Sequence, residues 1–432
     1  MNDFICKLRS QFPILKIKLN NCDLVYLDSA ATSQKPQCVI DTICRFYSNQ
    51  NASSHSINSL GANVTHMIES TRETVAKFIG CQSHEVVFTN GATEGINLVA
   101  NGFLVANFKN NNNSKDNPFL LDANSEILIG VDQHHSNILP WQRLAKIFGC
   151  KVVFFNILAS GKYDLDDLAS KINAHTKIIS ISNVSNVLGV IQDWEAICLV
   201  LNKQLTQKPI VILDATQAVP HFEIDINKLG VDFVVFSGHK IYGPTGVGVL
   251  YGKFGLLDQL PNYKVGGDMV ESVTLEQNVY KQTPYRFEAG TSNFSAIIGL
   301  KTAIEWFVKN KIDIFQTEKK LGNHLINELS KVPNITFLGI QTKTLNSFKP
   351  KSGYLSRIPL VSFSVKGVNS LDLALLLDQR GICIRSGQHC AGILHEFFDL
   401  YSTARVSLAC FNTTEEIDIL IKELKKAIDI LQ

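Results

Sequence analysis

The stretch FSGHKIYGPTG, residues 236–246, places Lys240 directly after an apolar run and ahead of a glycine-rich turn. A lysine held against apolar walls binds its proton less tightly and can form a Schiff base with a carbonyl. Ser237 and His239 flank it with donors suited to a phosphate. Taken alone, Lys240 also reads as a surface cation in a loop. Upstream, VILDATQAVPH (211–221) ends an apolar run at Asp214. A carboxylate there needs a cationic partner, and a protonated pyridine nitrogen would serve. A helix N-cap is the other reading. Gln217, three residues on, could donate to a ring hydroxyl.

Four further segments carry candidate chemistry. FTNGATEGINLVA (88–100) reads as strand, polar turn and helix. Gly91, Ala92 and Thr93 then offer N–H groups and a hydroxyl at a helix N-terminus, either for a phosphate or as a simple cap. In VDQHHSNILPWQ (131–142), His134 could stack on a planar ring and act as acid or base. The doubled histidine could instead bind a metal, but no acidic or cysteine ligand motif accompanies it, and no metal is expected. ISNVSNVLGV (181–190) offers Asn183 and Asn186. IRSGQHCAG (384–392) offers Cys390 near Arg385 and His389, the setting of a reactive thiolate or of a small buried hydrophobe. ARVSLACFNT (404–413) offers Arg405 as a fork for a carboxylate or as half of an ordinary ion pair. Nucleotide motifs fail here. Val247 stands where a P-loop before Gly252-Lys253 needs glycine, and Tyr251 breaks a dinucleotide fingerprint at Gly246-x-Gly248.

These segments follow short runs rich in Val, Ile and Phe: 85–89, 126–131, 151–155, 177–181, 209–213, 232–236 and 247–251. Such runs read as strands buried on both faces. Helix-like periods fill the gaps, as at 95–108, 138–148 and 194–205. The alternation predicts an α/β sheet with ligands at the strand ends. From residue 295 the pattern changes to a long helix (295–332), a strand (358–367), a helix (371–380) and a terminal helix opened by Thr413, Thr414 and Glu416. The expected division is a large α/β domain, 17–294, and a smaller α+β domain made of 1–16 and 295–432. Residues 110–118 and 341–357 read as a polar insertion and a solvated loop.

Composition bounds the function. The 432 residues carry a net charge of +2, which argues against an electrostatic nucleic-acid binder. No apolar stretch reaches membrane-span length, so no membrane partner is expected. Ten cysteines without a CxxC pair suggest free thiols in a reducing compartment. The first residues, with Asp3, Lys7, Arg9 and Pro13, do not form a secretory signal, and the expected location is the cytoplasm.

Together and in this order, SGHK with GPTG, DATQ, EAGTSN (288–293) and RSGQHC resemble the class V aminotransferase family of fold-type I pyridoxal-phosphate enzymes. Within it the chain is similar to Suf-type (group II) cysteine desulfurases, over nearly its whole length from FPIL (12–15) and VYLDSAATSQKP (25–36) to FNTTEEID (411–418). The resemblance implies the fold-type I architecture, a large domain with a mainly parallel mixed sheet plus a smaller α+β domain.

It also implies roles. Lys240 would hold pyridoxal 5'-phosphate, Asp214 would face its ring nitrogen, Gln217 its hydroxyl and His134 its plane. Ala92, Thr93, Ser237 and His239 would bind its phosphate. Thr291 would reach the phosphate of a neighbouring subunit, implying a homodimer. Asn186, Arg405 and Arg385 would lie on the substrate side, and Cys390 would take sulfur from L-cysteine as a persulfide, releasing L-alanine. An acceptor protein of iron–sulfur cluster assembly would receive that sulfur. Selenocysteine lyase, or a lyase for both amino acids, is the alternative within the family. The chain departs from the family pattern at SSHSINSLG (53–61), where Ser54 and Asn58 stand at positions common for histidine, and at Val265 in a glycine triplet. A substrate contact could shift to His55.

Overall fold

All seven apolar runs enter one sheet in the computed structural model, which describes residues 3–109, 117–204, 208–340 and 356–432. The strands are β1 (Val86–Thr89), β2 (Glu126–Gly130), β3 (Lys151–Phe155), β4 (Thr176–Ser182), β5 (Ile210–Asp214), β6 (Phe233–Ser237) and β7 (Gly248–Gly252). Their spatial order is β1-β7-β6-β5-β4-β2-β3. Only β7 runs antiparallel to its neighbours, β1 and β6; the other pairings are parallel. The carboxyl ends of β1, β2, β4, β5 and β6 therefore share one edge of the sheet.

Successive side chains alternate between two cores, because strand residues point to opposite faces. Val234 and Phe236 join one core, while Phe233 and Val235 join the other. Burial on both faces explains why these strands read as unbroken apolar runs. Helices cover both faces: α1 (Gln37–Asn49), α2 (Ser59–Ile79), α3 (Ala92–Lys109) and α4 (Leu139–Phe148). Gly248 serves a close approach. A Cβ there would lie 2.5 Å from Gly91 Cα, so glycine lets β7 press against the turn between β1 and α3.

A second, antiparallel sheet has the order β8-β9-β11-β10, with β8 (Ile335–Phe337), β9 (Leu360–Val365), β10 (Arg385–Gly387) and β11 (Thr403–Ser407). Helix α5 (Phe294–Leu329) is 36 residues long. Its first part packs on the large sheet's core, and Leu321, Leu325 and Leu329 pack on the second sheet's core. Helices α6 (Ser370–Asp378) and α7 (Thr414–Leu431) complete that core. The start expected for α7 is present as a capping box, with Thr413 Oγ1 accepting from Glu416 N at 3.2 Å and Glu416 Oε2 accepting from Thr413 N at 3.1 Å.

Residues 110–116 and 341–355 of the two expected loops lie outside the described residues. At the edge of the second, Arg357 corrects the reading of a solvated loop. It is buried, and its guanidinium donates to the carbonyls of Gly339 and Leu188. A planar donor fork can satisfy carbonyls that would otherwise be stranded between the strand-end loop after β4 and the second sheet.

Candidate functional site

The shared strand edge opens into a cavity of about 230 Å³. From the large sheet it is lined by Ala92 and Thr93 after β1, His134 after β2, Asn186 after β4, Asp214 and Gln217 at β5, and Ser237, His239 and Lys240 at β6. From the second sheet come Arg385 and Arg405, and from the loop after β10 comes Cys390. Twelve residues singled out in the sequence thus meet in one place. Thr291 is exposed and does not line this cavity.

Lys240 is deeply buried. Burial pushes its amine down to about 7, helped by the positive charge of Arg405. Its Nζ donates to the carbonyls of Ala30 and Ala31. Asp214 is buried at the end of β5, where its Oδ1 accepts from Thr216 N at 3.0 Å. This is the turn-capping contact, and it leaves Oδ2 available to a cation. Gln217 donates to Ala30 O at 3.0 Å, which uses one of its two amide hydrogens. Ser237 Oγ accepts from Ala92 N at 2.9 Å and ties β6 to the first turn of α3. Thr93 Oγ1 meets Ser136 Oγ at 2.7 Å. Burial, then Lys240 and Lys35, push His239 down to about 4, so its ring is neutral near pH 7.

Behind His134 lies a buried polar network. Gln133 Nε2 donates to Asp132 Oδ1 at 2.7 Å and approaches Tyr163 Oη at 2.9 Å, and Tyr163 donates to Ser182 O at 2.6 Å. His134 Nδ1 accepts from Ser136 N at 3.1 Å, so Nε2 carries the proton of the neutral ring. Burial lowers the affinity of His134 for a second proton. Asp132 is fully enclosed, and burial raises its carboxyl from 3.8 to about 7. The folded protein therefore keeps a proton that the unfolded chain releases, and stability falls as pH rises through this window. Asp132→Asn is expected to stabilise the protein at pH 8 by up to roughly 4 kcal/mol, the gain shrinking toward pH 4. Urea unfolding at both pH values measures this; an equal difference at both would contradict it.

The Cys390 loop is strained and clamped. His389 and Cys390 have φ of 52° and 57°, consecutive left-handed residues that are not glycine. Asn186 Nδ2 donates to His389 O at 2.7 Å, and His135 N donates to Cys390 O at 2.7 Å. Thr403 Oγ1 lies 3.0 Å from both His389 Nε2 and His395 Nε2, and His395 Nδ1 lies 3.0 Å from Ala391 O. A carbonyl only accepts, so His395 Nδ1 bears the proton. Its Nε2 then accepts from the Thr403 hydroxyl, whose oxygen accepts from His389 Nε2. Burial, then Arg405, hold His389 down to about 2, in keeping with this neutral chain. Cys390 itself is exposed.

Arg405 is buried and forms the ion pair that was one of the two readings made from its position. NH2 pairs with Asp28 Oδ1 at 2.9 Å and NH1 donates to Asn186 O at 3.0 Å, while Nε has no partner among the described residues. Thr216 Oγ1, also in the lining, is similarly unpartnered. Thr216, Ser136, Ala30 and Ala31 were not singled out. Thr216 and Ser136 lie inside the DATQ and HHSN segments, so a signal was present, whereas Ala30 and Ala31 arrive only by folding. His55 and Asn58 do not line the cavity. His55 lies 3.6 Å from Asp268, and Asn58 caps α2 through Gly61 N. Among the described residues no cluster of three or more metal-ligating side chains occurs, and no helix is long and apolar enough to cross a membrane.

Residues 25–420 match the family described as aminotransferase class-V. A probable cysteine desulfurase of Vibrio cholerae is 38% identical over 429 residues, covering 98% of both chains. The solved cysteine desulfurase CsdA of Escherichia coli has a TM-score of 0.84 at 32% identity, with 99% of each chain covered. The apo cysteine desulfurase of Thermococcus onnurineus has a TM-score of 0.86 at 31% identity, with 98% of each chain covered.

Proposed function

The chain belongs to the aminotransferase class-V family, and we propose that its strand-end cavity is the active site of a pyridoxal-phosphate-dependent cysteine desulfurase. It is an enzyme that releases L-alanine from L-cysteine. The observation that carries this is the meeting of Lys240, Asp214 and His134 with Cys390 and Arg405 around one cavity. Nothing favours the selenocysteine-lyase alternative.

The residues present fit the cofactor. A buried, uncharged-prone lysine suits a carbonyl, and a carboxylate at a strand end suits a protonated ring nitrogen. Ser237, His239, Thr93 and the first turn of α3 suit a phosphate. The unpartnered Thr216 Oγ1 and Arg405 Nε suit further polar atoms of a bound molecule. Pyridoxal phosphate, when bound, supplies an electron sink for charge that develops at the substrate Cα.

The protein's own groups do the rest. Lys240 Nζ would hold the cofactor through its carbonyl carbon and, as a free amine, would move the proton at Cα. Asp214 would keep a proton on the ring nitrogen, and His134 would pack against the ring. Arg405 holds the substrate carboxylate while shared with Asp28, and Asn186 and Arg385 flank it. The Cys390 thiolate attacks the substrate sulfur. The carbon–sulfur bond breaks with its electron pair left on carbon, which takes up a proton on the way to alanine. The sulfur stays on Cys390 as a persulfide. A thiolate is the right nucleophile for sulfur.

Finer parts of the reading have their own support. Cys390 is exposed, as delivery to an acceptor protein of iron–sulfur cluster assembly requires, and a Suf-type assignment follows from the RSGQHC loop. Thr291 is exposed and outside the cavity, as contact with a second copy in a homodimer requires. All ten cysteines are free, which suits a cytoplasmic location. The separate seven-stranded and four-stranded sheets support a large domain within 17–294 and a smaller one within 295–432. Adding L-cysteine to the holoenzyme tests the central reading. Alanine should appear, and mass spectrometry should find one added sulfur atom on Cys390; alanine release with no sulfur ever found on Cys390 would overturn it.

A further inference from the structure

The two adjacent histidines after β2 face different tasks. His134 lines the cavity. His135 instead holds the loop that carries Cys390, through two bonds on either side of the thiol. Its backbone N–H donates to Cys390 O at 2.7 Å, and its Nε2 accepts from Gly392 N at 3.0 Å. Asn186 adds a third bond, to His389 O.

These bonds act on a backbone that does not rest in this shape unaided. Left-handed φ at two successive non-glycine residues is unfavourable, because Cβ crowds the following carbonyl oxygen, and such strain persists only where surroundings over-determine it. Cys390 thus holds its pose through partners on the other sheet's loops. The ring of His135 is the one side-chain acceptor among them, and accepting an N–H requires a bare Nε2, which places the ring proton on Nδ1.

We propose that His135 is a positioning residue for the Cys390 thiol: it pins the left-handed 389–390 turn so that the sulfur is presented to the cavity. This rests on the reading of Cys390 as the sulfur-accepting nucleophile. The backbone bond survives substitution by leucine or glutamine, so the side-chain bond can be tested by itself. In His135→Leu the acceptor is lost. In His135→Gln the amide oxygen reaches about as far as Nε2 and can accept from Gly392 N.

Both variants are made as holoenzymes and checked for unchanged cofactor absorbance, which His135 does not touch. Loss of one such hydrogen bond converts to roughly a ten-fold change. His135→Leu should slow persulfide formation on Cys390 about ten-fold with KM for L-cysteine held within about two-fold, and His135→Gln should recover most of the loss. In resting enzyme, without any turnover, iodoacetamide should alkylate Cys390 at a rate changed several-fold in His135→Leu and restored in His135→Gln. Equal rates in wild type and His135→Leu, or a glutamine variant as impaired as leucine, would overturn the proposal. The alkylation readout is independent of desulfurase chemistry, so failure of the Cys390 reading would show separately, as wild-type enzyme that never carries sulfur there.

Discussion

Lys240→Ala is expected to abolish L-cysteine turnover to within measurement, a loss of about 10⁴-fold or more. On the proposed reading two functions leave with one amine: the covalent hold on the cofactor and the base that moves the proton at Cα. The cofactor's absorbance should change with it, while the fold stays intact, because the Lys240 amine donates to the carbonyls of Ala30 and Ala31 and makes no ion pair among the described residues. Wild-type apoenzyme offers a companion measurement. Burial, with help from Arg405, brings the Lys240 amine from 10.5 down to about 7. Below that pH it is charged and unreactive; above it, a free base. Uptake of pyridoxal phosphate should therefore rise about ten-fold from pH 6 to pH 8 and then level off. An exposed lysine would keep gaining to about pH 10, and that outcome would remove Lys240 from its role.

Cys390→Ser should retain the cofactor and bind L-cysteine but lose sulfur capture, with alanine formation falling by about 10³-fold or more. The serine hydroxyl matches the thiol in size but stays protonated near neutral pH and attacks sulfur poorly. Nine other cysteines remain in this variant, and burial raises the thiols of Cys81, Cys150 and Cys410, which keeps them as poor thiolates. Alanine release at the wild-type rate would show that another nucleophile takes the sulfur.

Much of the site was legible in the chain because each strand ends in its own chemical segment. The run Phe233–Ser237 flows straight into His239 and Lys240, and Ile210–Asp214 into Gln217. A parallel sheet buried on both faces leaves a plain apolar signature, and its connections leave the functional residues in short contiguous stretches. Lys240, Asp214, His134 and Cys390 could all be named as candidates from such stretches, and the resemblance built on those stretches supplied the roles proposed for them.

What remained illegible involves partners far apart in sequence. Asp28 meets Arg405 across 377 residues, and His135 meets Gly392 across 257. Ala30 and Ala31 reach Lys240 from more than 200 residues away. No local spacing encodes these contacts, because they exist only once the second sheet docks against the strand ends. The left-handed pair His389–Cys390 is of the same kind. Its residue types favour another backbone shape, and bonds from Asn186 and His135 impose this one. The sequence by itself determined the sheet and the cofactor chemistry and pointed to Cys390 as the proposed nucleophile, since these depend on residue type and near neighbours. Only the tertiary structure decided how the guanidinium of Arg405 is shared, which tautomers the histidines take, and what holds the thiol in place. Those depend on which donors and acceptors meet when distant segments are buried together.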